Sequence, residues 1–408
     1  MNETSKRRTG AIGRSLLLAS ASVFALGAPV GGAQAAGSLT SIDYATEAAG
    51  NAMMNKMMAT CTDKTGIKID RQAVPYPQLV QKVLLAASSQ SLPDLILMDN
   101  SDAAQLADGG IIVPITDVGV DLAGFNPSII AVGAYKGKNY TMQSGVNTLA
   151  LWYNIDMFKA AGIDKPPTTW DELKADAKKL TTKDHYGLSF PAVATEEGTF
   201  HASPFIWSNG GDFQTINSPQ NVETLNYMKG LLDDGSVSKS VVTWAGDDAN
   251  DQFISGRAAM MIGGSWHLKN NEKAPIHYNI VSIPTPKAGE QVKVPVGGEA
   301  WAVSATADKG LAKTFLDCLA QDPIVLQWSE SGNYVPSKAS VLDQFKKDVP
   351  DMVPFIGSTA GAVSRTSVLG IAYPKYSAAF SAAEQAVLLG TKDAKTALDE
   401  AEAQATGK

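Results

Sequence analysis

The chain has 408 residues, of which 44% are hydrophobic and 18% are charged, and it carries a formal net charge of −7. This length favours two domains over one compact core, and the composition is typical of a globular protein. The acidic balance argues against nucleic acid and anionic lipid surfaces as partners, because both repel a negatively charged protein.

The first 35 residues have the pattern of a secretory signal peptide. Basic residues open it, residues 16–26 form a short apolar run, and residues 33–35 (Ala-Gln-Ala) form a small-residue cleavage site. The alternative, a membrane anchor, is disfavoured because the apolar run is too short to span a bilayer. We expect cleavage after Ala35 and a periplasmic protein. Removing four of the 34 basic and one of the 41 acidic residues would leave a mature chain with 30 basic and 40 acidic residues.

Strands and helices alternate at the start of the predicted mature chain. We predict strands at 39–44, 67–71 and 92–99, and helices at 48–61 and 76–88. The run at 92–99 is almost continuously apolar, which is typical of strands covered on both faces in α/β layers. Because ligands sit at the carboxyl ends of such strands, residues 44–47, Tyr76 and the pair Asp99-Asn100 are candidate site residues.

Residues 142–180 are the most informative segment of the chain. They predict a strand, a short helix ending at Gly162, a Pro-Pro break and a second helix. Thr169 and Glu172 have the spacing of a capping box at the start of that second helix. The residues predicted to form its apolar face are Trp170, Leu173, Ala177 and Leu180.

A second α/β region follows this segment. We predict strands at 186–190, 258–262 and 278–283, a strand with a glycine kink at 294–303, and helices at 221–233, 247–255 and 311–319. Glu197, Phe200 and His201 are predicted to lie in a loop after the first of these strands. The sequence contains no internal repeat and no low-complexity linker, which favours lobes joined by short crossing strands over a flexible tether.

The sequence lacks the usual signatures of catalysis. Its four histidines, at 185, 201, 267 and 277, do not have metal-ligand spacing, and no nucleophile elbow, phosphate loop, dinucleotide fingerprint or C-x-x-C pair occurs. The acidic cluster at 247–251 lacks the glycine and glutamate of a calcium loop and is interpreted as the start of a helix. We therefore expect no catalytic residues, no metal and no cofactor. A glycoside hydrolase needs only two acids in a cleft, so that alternative stays open.

Several short motifs occur together in a characteristic order. They are Pro93-Asp94 with Asp99, GGIIVPI at 109–115, YNIDMFKAAGI at 153–163, PPTTWDEL at 166–173, FISGRAAM at 253–260, GGSW at 263–266, Gly297-Gly298 and NYVPS at 333–337. Together they resemble the extracellular solute-binding proteins of family 1, the maltose-binding-protein-like proteins that serve ABC importers of sugars. The resemblance covers most of residues 39–390 and says little about the ligand.

The resemblance implies an α/β fold, that of the two-lobed type II periplasmic binding proteins, with a ligand cleft between lobes joined by crossing hinge strands. The N-terminal lobe would comprise residues 36–144 plus 299–336, and the C-terminal lobe residues 145–298 plus 337–408. The crossings would lie near 144–147, 297–299 and 334–337. In such proteins the lobes close over the ligand, and the permease subunits of a membrane importer accept it.

Cys61 and Cys318 are the two cysteines of the chain. Export permits a disulfide and an even count fits one, while two buried free thiols are the alternative. The resemblance places both predicted helices in the N-terminal lobe, which favours the bridge.

The resemblance also directs attention to residues suited to a sugar. Aromatic rings cover the apolar face of a sugar ring, and carboxylates, amides and arginine bind its hydroxyl rim. The residues predicted to bind the ligand are Glu47, Tyr76, Asp99, Asn100, Trp152, Phe200, Ser265, Trp266, Gly298, Glu299, Tyr334 and Arg365. Trp266 is the leading platform because it follows a Gly-Gly-Ser turn, with core packing as its alternative. The alternatives are helix capping for Asp99, the core for Trp152 and a salt bridge for Arg365.

The sequence therefore favours a monomeric periplasmic receptor that captures a monosaccharide, an oligosaccharide or a sugar derivative for an ABC importer. A receptor for glycerol phosphate or another anionic polyol is the first alternative, and a secreted glycan hydrolase or lyase is the second. Few cations other than Arg365 are expected near the cleft, so a neutral or singly charged sugar is favoured.

Overall fold

The computed structural model describes residues 37–46 and 48–407. The α-helices of this part are α1 (Ala48–Thr65), α2 (Leu79–Ser88), α3 (Ala103–Asp108), α4 (Ile115–Val118), α5 (Pro127–Ile130), α6 (Ile155–Ala160), α7 (Trp170–Leu180), α8 (Glu196–Ser208), α9 (Pro219–Asp233), α10 (Gly246–Ile254), α11 (His267–Asn271), α12 (Lys309–Leu319), α13 (Asp322–Gly332), α14 (Ala339–Asp348), α15 (Val353–Ser358), α16 (Tyr373–Leu388) and α17 (Ala394–Thr406). The strands are β1 (Gly37–Asp43), β2 (Ile67–Ala73), β3 (Leu95–Asp99), β4 (Ile112–Val113), β5 (Ala134–Tyr135), β6 (Lys138–Asn139), β7 (Gly145–Val146), β8 (Leu149–Asn154), β9 (Met260–Gly264), β10 (Tyr278–Val281), β11 (Val294–Pro295), β12 (Glu299–Ser304), β13 (Val335–Pro336) and β14 (Ala362–Val363). None of the described helices combines the length and the apolar character needed to cross a bilayer. The predicted signal peptide at 1–35 and the predicted ligand contact Glu47 lie outside the described residues.

The N-terminal lobe is built around a five-stranded sheet with the order β2-β1-β3-β12-β4. Strands β2, β1 and β3 run parallel, whereas β12 is antiparallel to β3 and β4. Along β3, Leu95 and Leu97 pack into one hydrophobic cluster, while Ile96 and Met98 pack into another. Both faces of the sheet are therefore covered, which explains the continuous apolar run in the sequence. The parallel strands bring the residues that follow β1 and β3 to the same edge of the sheet.

The C-terminal lobe is built around a three-stranded antiparallel sheet with the order β10-β8-β9. Helix α7 packs in this lobe, and Thr169 and Glu172 form the predicted capping box at its start. The predicted apolar face of α7 is buried in the hydrophobic cluster of the lobe, where it contributes Trp170, Leu173, Ala177 and Leu180. Both predictions for this helix are confirmed.

Short strand segments connect the two lobes. Strand β7 pairs with β13, and Asn147 forms a β-bridge with Gly297. After β7 the chain enters β8 of the C-terminal lobe, and after Gly298 it enters β12 of the N-terminal lobe. Gly298 has φ +110°, a value that favours glycine, which accounts for the predicted kink. The predicted crossings are confirmed, while the precise lobe boundaries stay a prediction.

A disulfide joins Cys61 of α1 to Cys318 of α12. Both residues are buried in a hydrophobic cluster of the N-terminal lobe, and their Cα atoms are 5.8 Å apart. The predicted bridge is confirmed, and the alternative of two free thiols is wrong. This covalent link connects positions 257 residues apart in the sequence.

The segment at 186–190 does not form the predicted strand. Only isolated bridges tie it to the chain near β9. The backbone N–H groups of Gly187 and Leu188 donate to the carbonyl oxygen of Ser236, at 3.0 and 3.1 Å. Because these two donors point away from β9, a continuous strand ladder cannot form.

The predicted loop that carries Glu197, Phe200 and His201 is instead the helix α8. Thr195 caps this helix by accepting a hydrogen bond from the backbone N–H of Glu197 at 3.3 Å. Gly198 and Pro204 both lie within the helix, and both have low helix propensity. Burial of most of the helix in the core of the lobe overrides these weak local preferences.

Candidate functional site

A cavity of about 400 Å³ lies between the two lobes, beside the crossing segments. The N-terminal lobe contributes the residues that follow β1 and β3, while the C-terminal lobe contributes α8 and the turn between β9 and α11. Its lining residues are Tyr44, Ala45, Thr46, Gly50, Met53, Met54, Tyr76, Leu97, Asp99, Asn147, Glu196, Glu197, Phe200, His201, Ala245, Asp247, Trp266, Asn270, Gly297, Gly298, Glu299, Trp328, Tyr334 and Arg365. This is the position at which the sheet topology predicted a ligand.

Arg365 forms a buried ion-pair cluster that joins the two lobes. Its Nη1 donates to Glu196 Oε1 at 2.7 Å, and its Nη2 donates to Asp99 Oδ1 at 2.6 Å. The same Nη2 also donates to Asn100 Oδ1 at 2.9 Å, and the guanidinium carbon lies 5.0 Å from the centre of the Phe200 ring. Arg365 follows β14, which packs on the C-terminal lobe, whereas Asp99 ends β3 of the N-terminal lobe. One guanidinium therefore bridges the cleft.

The partners of Arg365 are themselves held in place. Tyr373 donates its hydroxyl to Glu196 Oε1 at 2.8 Å, and the Ser377 hydroxyl donates to Glu196 Oε2. Burial opposes the charge of Arg365, but Asp99 and Glu196 outweigh that effect and raise the pKa of Arg365 well above its usual value. The guanidinium is therefore always charged, and its charge is already matched by the protein.

Glu299 lies beside this cluster, and no cationic side chain of the described residues pairs with it. It is directly opposite Asp99 in the antiparallel pair of β12 and β3, so two acidic side chains share one face of the sheet edge. Tyr334 donates its hydroxyl to Glu299 Oε1 at 2.8 Å. The other oxygen, Oε2, is buried and has no hydrogen-bond partner among the described residues. Burial raises the pKa of Glu299 above its usual value.

Trp266 forms an aromatic wall on the side of the C-terminal lobe. The Phe200 ring centre lies 6.2 Å from that of Trp266, and the His201 ring meets Trp266 edge-on at 6.1 Å. A Cβ atom at Gly264 would lie 2.1 Å from the Trp266 ring, so a glycine is required where the strand passes beneath the ring. Trp266 is partly exposed and can present an indole face to the cavity.

His201 is a buried hydrogen-bond acceptor in the cavity wall. Its Nδ1 lies 2.8 Å from the carbonyl oxygen of Glu197, so Nδ1 must carry the proton and donate it. The opposite nitrogen, Nε2, is then a bare acceptor, and it has no partner in the part of the chain that the structure describes. Burial lowers the pKa of His201 to about 4, which keeps the ring neutral.

On the opposite wall, Tyr44 and Tyr76 of the N-terminal lobe pack edge to face with their ring centres 5.1 Å apart. Tyr76 is 41% exposed, an unusual exposure for a large aromatic residue. The cavity therefore has aromatic side chains on both lobes and carboxylates around them.

Most of the residues predicted to bind the ligand meet in this cavity. They are Tyr76, Asp99, Phe200, Trp266, Gly298, Glu299, Tyr334 and Arg365. Contact of these residues with a ligand stays a prediction. For Asp99 the capping alternative also holds, because Oδ1 accepts the backbone N–H of Ser101 at 2.8 Å. For Arg365 the salt-bridge alternative holds as well.

Trp152, Ser265 and Asn100 are placed away from the cavity, contrary to expectation. Trp152 lies in the central strand β8, is fully buried and donates its indole N–H to the carbonyl oxygen of Gly263 at 3.1 Å. Ser265 precedes Trp266 in the sequence. It is fully buried and is not among the residues that line the cavity. Asn100 is buried, and its side-chain oxygen accepts a hydrogen bond from Arg365.

Several polar residues of the wall are not among the predicted ligand contacts, notably Glu196, Asn147, Asp247 and Asn270. Asp247 was recognised only as part of an acidic helix start, which α10 confirms. Two consecutive acids after Thr195 were the available signal for Glu196, since this is the pattern of a capped helix start. No feature of the sequence indicated that Glu196 would pair with Arg365, which lies 169 positions away.

The comparisons with known proteins agree with this architecture. The family model described as bacterial extracellular solute-binding protein matches residues 56–352 of the chain. The sn-glycerol-3-phosphate-binding periplasmic protein UgpB of Brucella melitensis biotype 1 is 28% identical over 363 residues, which are 80% of this chain and 82% of the relative.

Solved structures match over nearly the whole chain. The cyclic alpha-maltosyl-1,6-maltose binding protein from Arthrobacter globiformis matches with a TM-score of 0.78 and 26% identity, over 91% of this chain and 98% of that chain. Maltose-bound MalE3 of T. maritima matches with a TM-score of 0.82 and 21% identity, over 91% and 100% of the two chains, and shows the fold alone. The predicted two-lobed α/β fold is confirmed. Since the family model spans well over half of the sequence, this chain belongs to the family of bacterial extracellular solute-binding proteins.

Proposed function

We propose that this protein captures a carbohydrate in the cleft between its lobes and delivers it to an ABC importer. The observation that carries the proposal is the cavity itself, which combines aromatic walls on both lobes with a rim of carboxylates and amides. A sugar ring fits such a site because its C–H face packs on an aromatic ring while its hydroxyls donate to oxygen acceptors. The name of the cyclic alpha-maltosyl-1,6-maltose binding neighbour supports the same ligand class.

The charge of the cavity argues against the first alternative, a phosphorylated polyol. The lining includes five carboxylates, namely Asp99, Glu196, Glu197, Asp247 and Glu299. Arg365 is the one lysine or arginine among the described lining residues, and Asp99 and Glu196 already match its charge. A phosphate would have to displace these partners or enter beside unmatched carboxylates, and either is unfavourable. The name of the UgpB relative is therefore not carried over to this chain.

The remaining parts of the proposal follow from the family. We infer a protein exported by its signal peptide to the periplasm, which works as a monomer with membrane permease subunits and does not bind nucleic acid. It performs no chemistry on its ligand. The second alternative, a glycan hydrolase, rests on carboxylates in the cleft, but a receptor also needs these groups as acceptors for hydroxyls.

A thermal-shift screen of the mature protein tests the proposal. The panel contains monosaccharides, oligosaccharides, amino sugars, polyols and glycerol 3-phosphate. A ligand that binds only the native state raises the melting temperature, so we expect a rise with a carbohydrate and none with glycerol 3-phosphate. The bound sugar should be recovered unchanged after long incubation, as chromatography of the mixture can show. A rise with glycerol 3-phosphate alone would refute the carbohydrate assignment, and cleavage of the sugar would refute the receptor assignment.

Replacing Trp266 with alanine is expected to weaken binding of the identified sugar by about 10- to 100-fold, because the indole face would be lost as a stacking platform. Isothermal titration calorimetry measures the change. Tyr186→Ala serves as the control, since Tyr186 is an exposed aromatic residue that does not line the cavity. Equal affinities for the two variants would show that Trp266 is not the platform.

A further inference from the structure

The charge around Glu299 is unbalanced even within the folded protein. Asp99, its neighbour across β3 and β12, is paired with Arg365. Tyr334 donates to one oxygen of Glu299. The other oxygen has no close hydrogen bond among the described residues, although the Tyr44 hydroxyl lies near the carboxylate, and no cationic side chain of these residues pairs with it. Two acids directly opposite each other on a sheet are destabilising. Arg365 matches the charge of Asp99, so the carboxylate of Glu299 is left for a cation of the ligand to pair with.

The buried unpaired polar atoms of the lining include both acceptors and donors, since Trp328 Nε1 and Arg365 Nε also have no hydrogen-bond partner among the described residues. His201 is 2% exposed and lines the cavity, and its Nε2 has a free lone pair because Nδ1 carries the proton. Glu197 uses Oε1 to accept the backbone N–H of Gly246 at 2.8 Å. Asp247 pairs with no lysine or arginine of the described residues, and burial keeps His267, 3.8 Å away, neutral by lowering its pKa to about 3. Negative charge therefore dominates the lining, in which five carboxylates accompany one arginine.

Several donors that could have matched these acceptors are already used within the protein. Arg365 donates to Asp99, Asn100 and Glu196, and Tyr334 donates to Glu299. A neutral sugar hydroxyl brings one donor and two acceptor lone pairs, whereas an ammonium group brings three donors, a positive charge and no acceptor. An ammonium group therefore matches the negative charge of this lining better than a hydroxyl does.

We propose that the ligand is a carbohydrate that carries a protonated amine, and that Glu299 is the residue that selects the amine. This inference rests on the proposed function, because it names the class of sugar bound in the same cavity. The ammonium lies beside Glu299 Oε2, and the sugar ring packs on Trp266. Glu299 thereby distinguishes an amino sugar from its neutral and N-acetylated counterparts, which lack the charge.

Matched sets of sugars test the inference on the mature protein. One set is glucosamine, glucose and N-acetylglucosamine, and a second set is galactosamine, galactose and N-acetylgalactosamine. A third set uses the disaccharides of glucosamine, glucose and N-acetylglucosamine with the same β-1,4 linkage. Calorimetry at low and at high salt should show that the amine of at least one set binds about tenfold or more tightly than its partners, the size of one hydrogen bond to a charged group. The preference should shrink as salt rises.

Glu299→Gln keeps the size of the side chain and an acceptor for Tyr334 but removes the charge. We expect this variant to lose about tenfold more affinity for the amine than for the neutral sugar. Asp343→Asn is the matched control, because the Asp343 side chain is 92% exposed on α14 and does not line the cavity. The melting temperature of each variant without ligand shows whether it is folded.

The outcomes separate the two proposals. If a neutral or N-acetylated sugar binds as well as the amine in every set, or if Glu299→Gln keeps the amine preference, the inference is overturned and the receptor function stands. If no carbohydrate of any set or of the wider screen binds, both proposals are overturned. Selective loss of amine binding in Glu299→Gln, with Asp343→Asn unchanged, supports the inference.

Discussion

Replacing Arg365 with alanine is expected to lower the free energy of unfolding by about 3–5 kcal/mol, the usual result of breaking a buried ion pair. The Arg365 side chain is 2% exposed and lies 2.6 Å from Asp99 and 2.7 Å from Glu196. Alanine would leave two partly buried carboxylates without their shared countercharge, and Asn100 would lose a hydrogen-bond donor. Urea denaturation followed by tryptophan fluorescence measures the difference in free energy of unfolding.

Two further variants control for this effect. Arg257→Ala removes an exposed arginine for which no ion pair is seen among the described residues, and it should change stability by no more than about 0.5 kcal/mol. Arg365→Lys keeps the charge but not the planar fork, so we expect a loss between those of the two alanine variants. If Arg365→Ala and Arg257→Ala were equally stable, the ion-pair cluster would have no structural role.

A second measurement separates the charge of the Arg365 cluster from its packing. A variant that combines Arg365→Ala with Asp99→Asn and Glu196→Gln removes the unmatched charges together. It should recover part of the stability lost in Arg365→Ala, because the penalty arises from buried carboxylates left without a partner. No recovery would indicate that the packing of the guanidinium on Phe200 is the larger contribution.

Removing the disulfide is expected to lower the free energy of unfolding by about 4–5 kcal/mol, near the upper end of the known range. The bond joins residues separated by 257 positions, and in the chain-entropy description a longer loop restricts the unfolded chain more strongly. The test compares the wild type with the double variant Cys61→Ala and Cys318→Ala in denaturant, without reductant.

The reduced wild type is the matched control for the double variant. It retains both sulfur atoms in the hydrophobic cluster of the N-terminal lobe, so its stability separates the loss of the covalent link from the loss of packing. Oxidised and reduced wild type with the same denaturation midpoint would contradict the prediction. A further drop in the alanine variant measures the packing of the sulfur atoms.

Local sequence patterns were sufficient to predict much of the fold. The capping box of α7 requires only Thr169 and Glu172, which are three residues apart. The continuous apolar run of β3 indicates that both faces of the sheet are covered. The same patterns failed for α8, where Gly198 and Pro204 weaken the local helix signal. In that helix, burial against the C-terminal lobe outweighs local preference, and burial is not visible in a short stretch of sequence.

The candidate site shows the same division between local and distant causes. Polar residues at the ends of strands, such as Asp99, could be placed near a cleft because strand ends in an α/β sheet share one edge. Trp152 lies in an apolar strand and Trp266 follows one, yet of these two residues only Trp266 lines the cavity. Trp152 lies in β8 between β9 and β10, and such a central position in the sheet buries its side chain.

The sequence by itself determined the family, the two-lobed α/β architecture, the crossing segments and the chemical types of residue available to the cleft, because these depend on patterns between near neighbours. Only the tertiary structure decided which charged side chains of the cleft have a partner of opposite charge. It paired Arg365 with Asp99, 266 residues away, and it placed Glu299 across from that same aspartate, where no cation of the described part of the chain pairs with it. Charge balance in a cavity depends on distances of a few ångströms between distant parts of the chain, and such distances exist only in the folded protein.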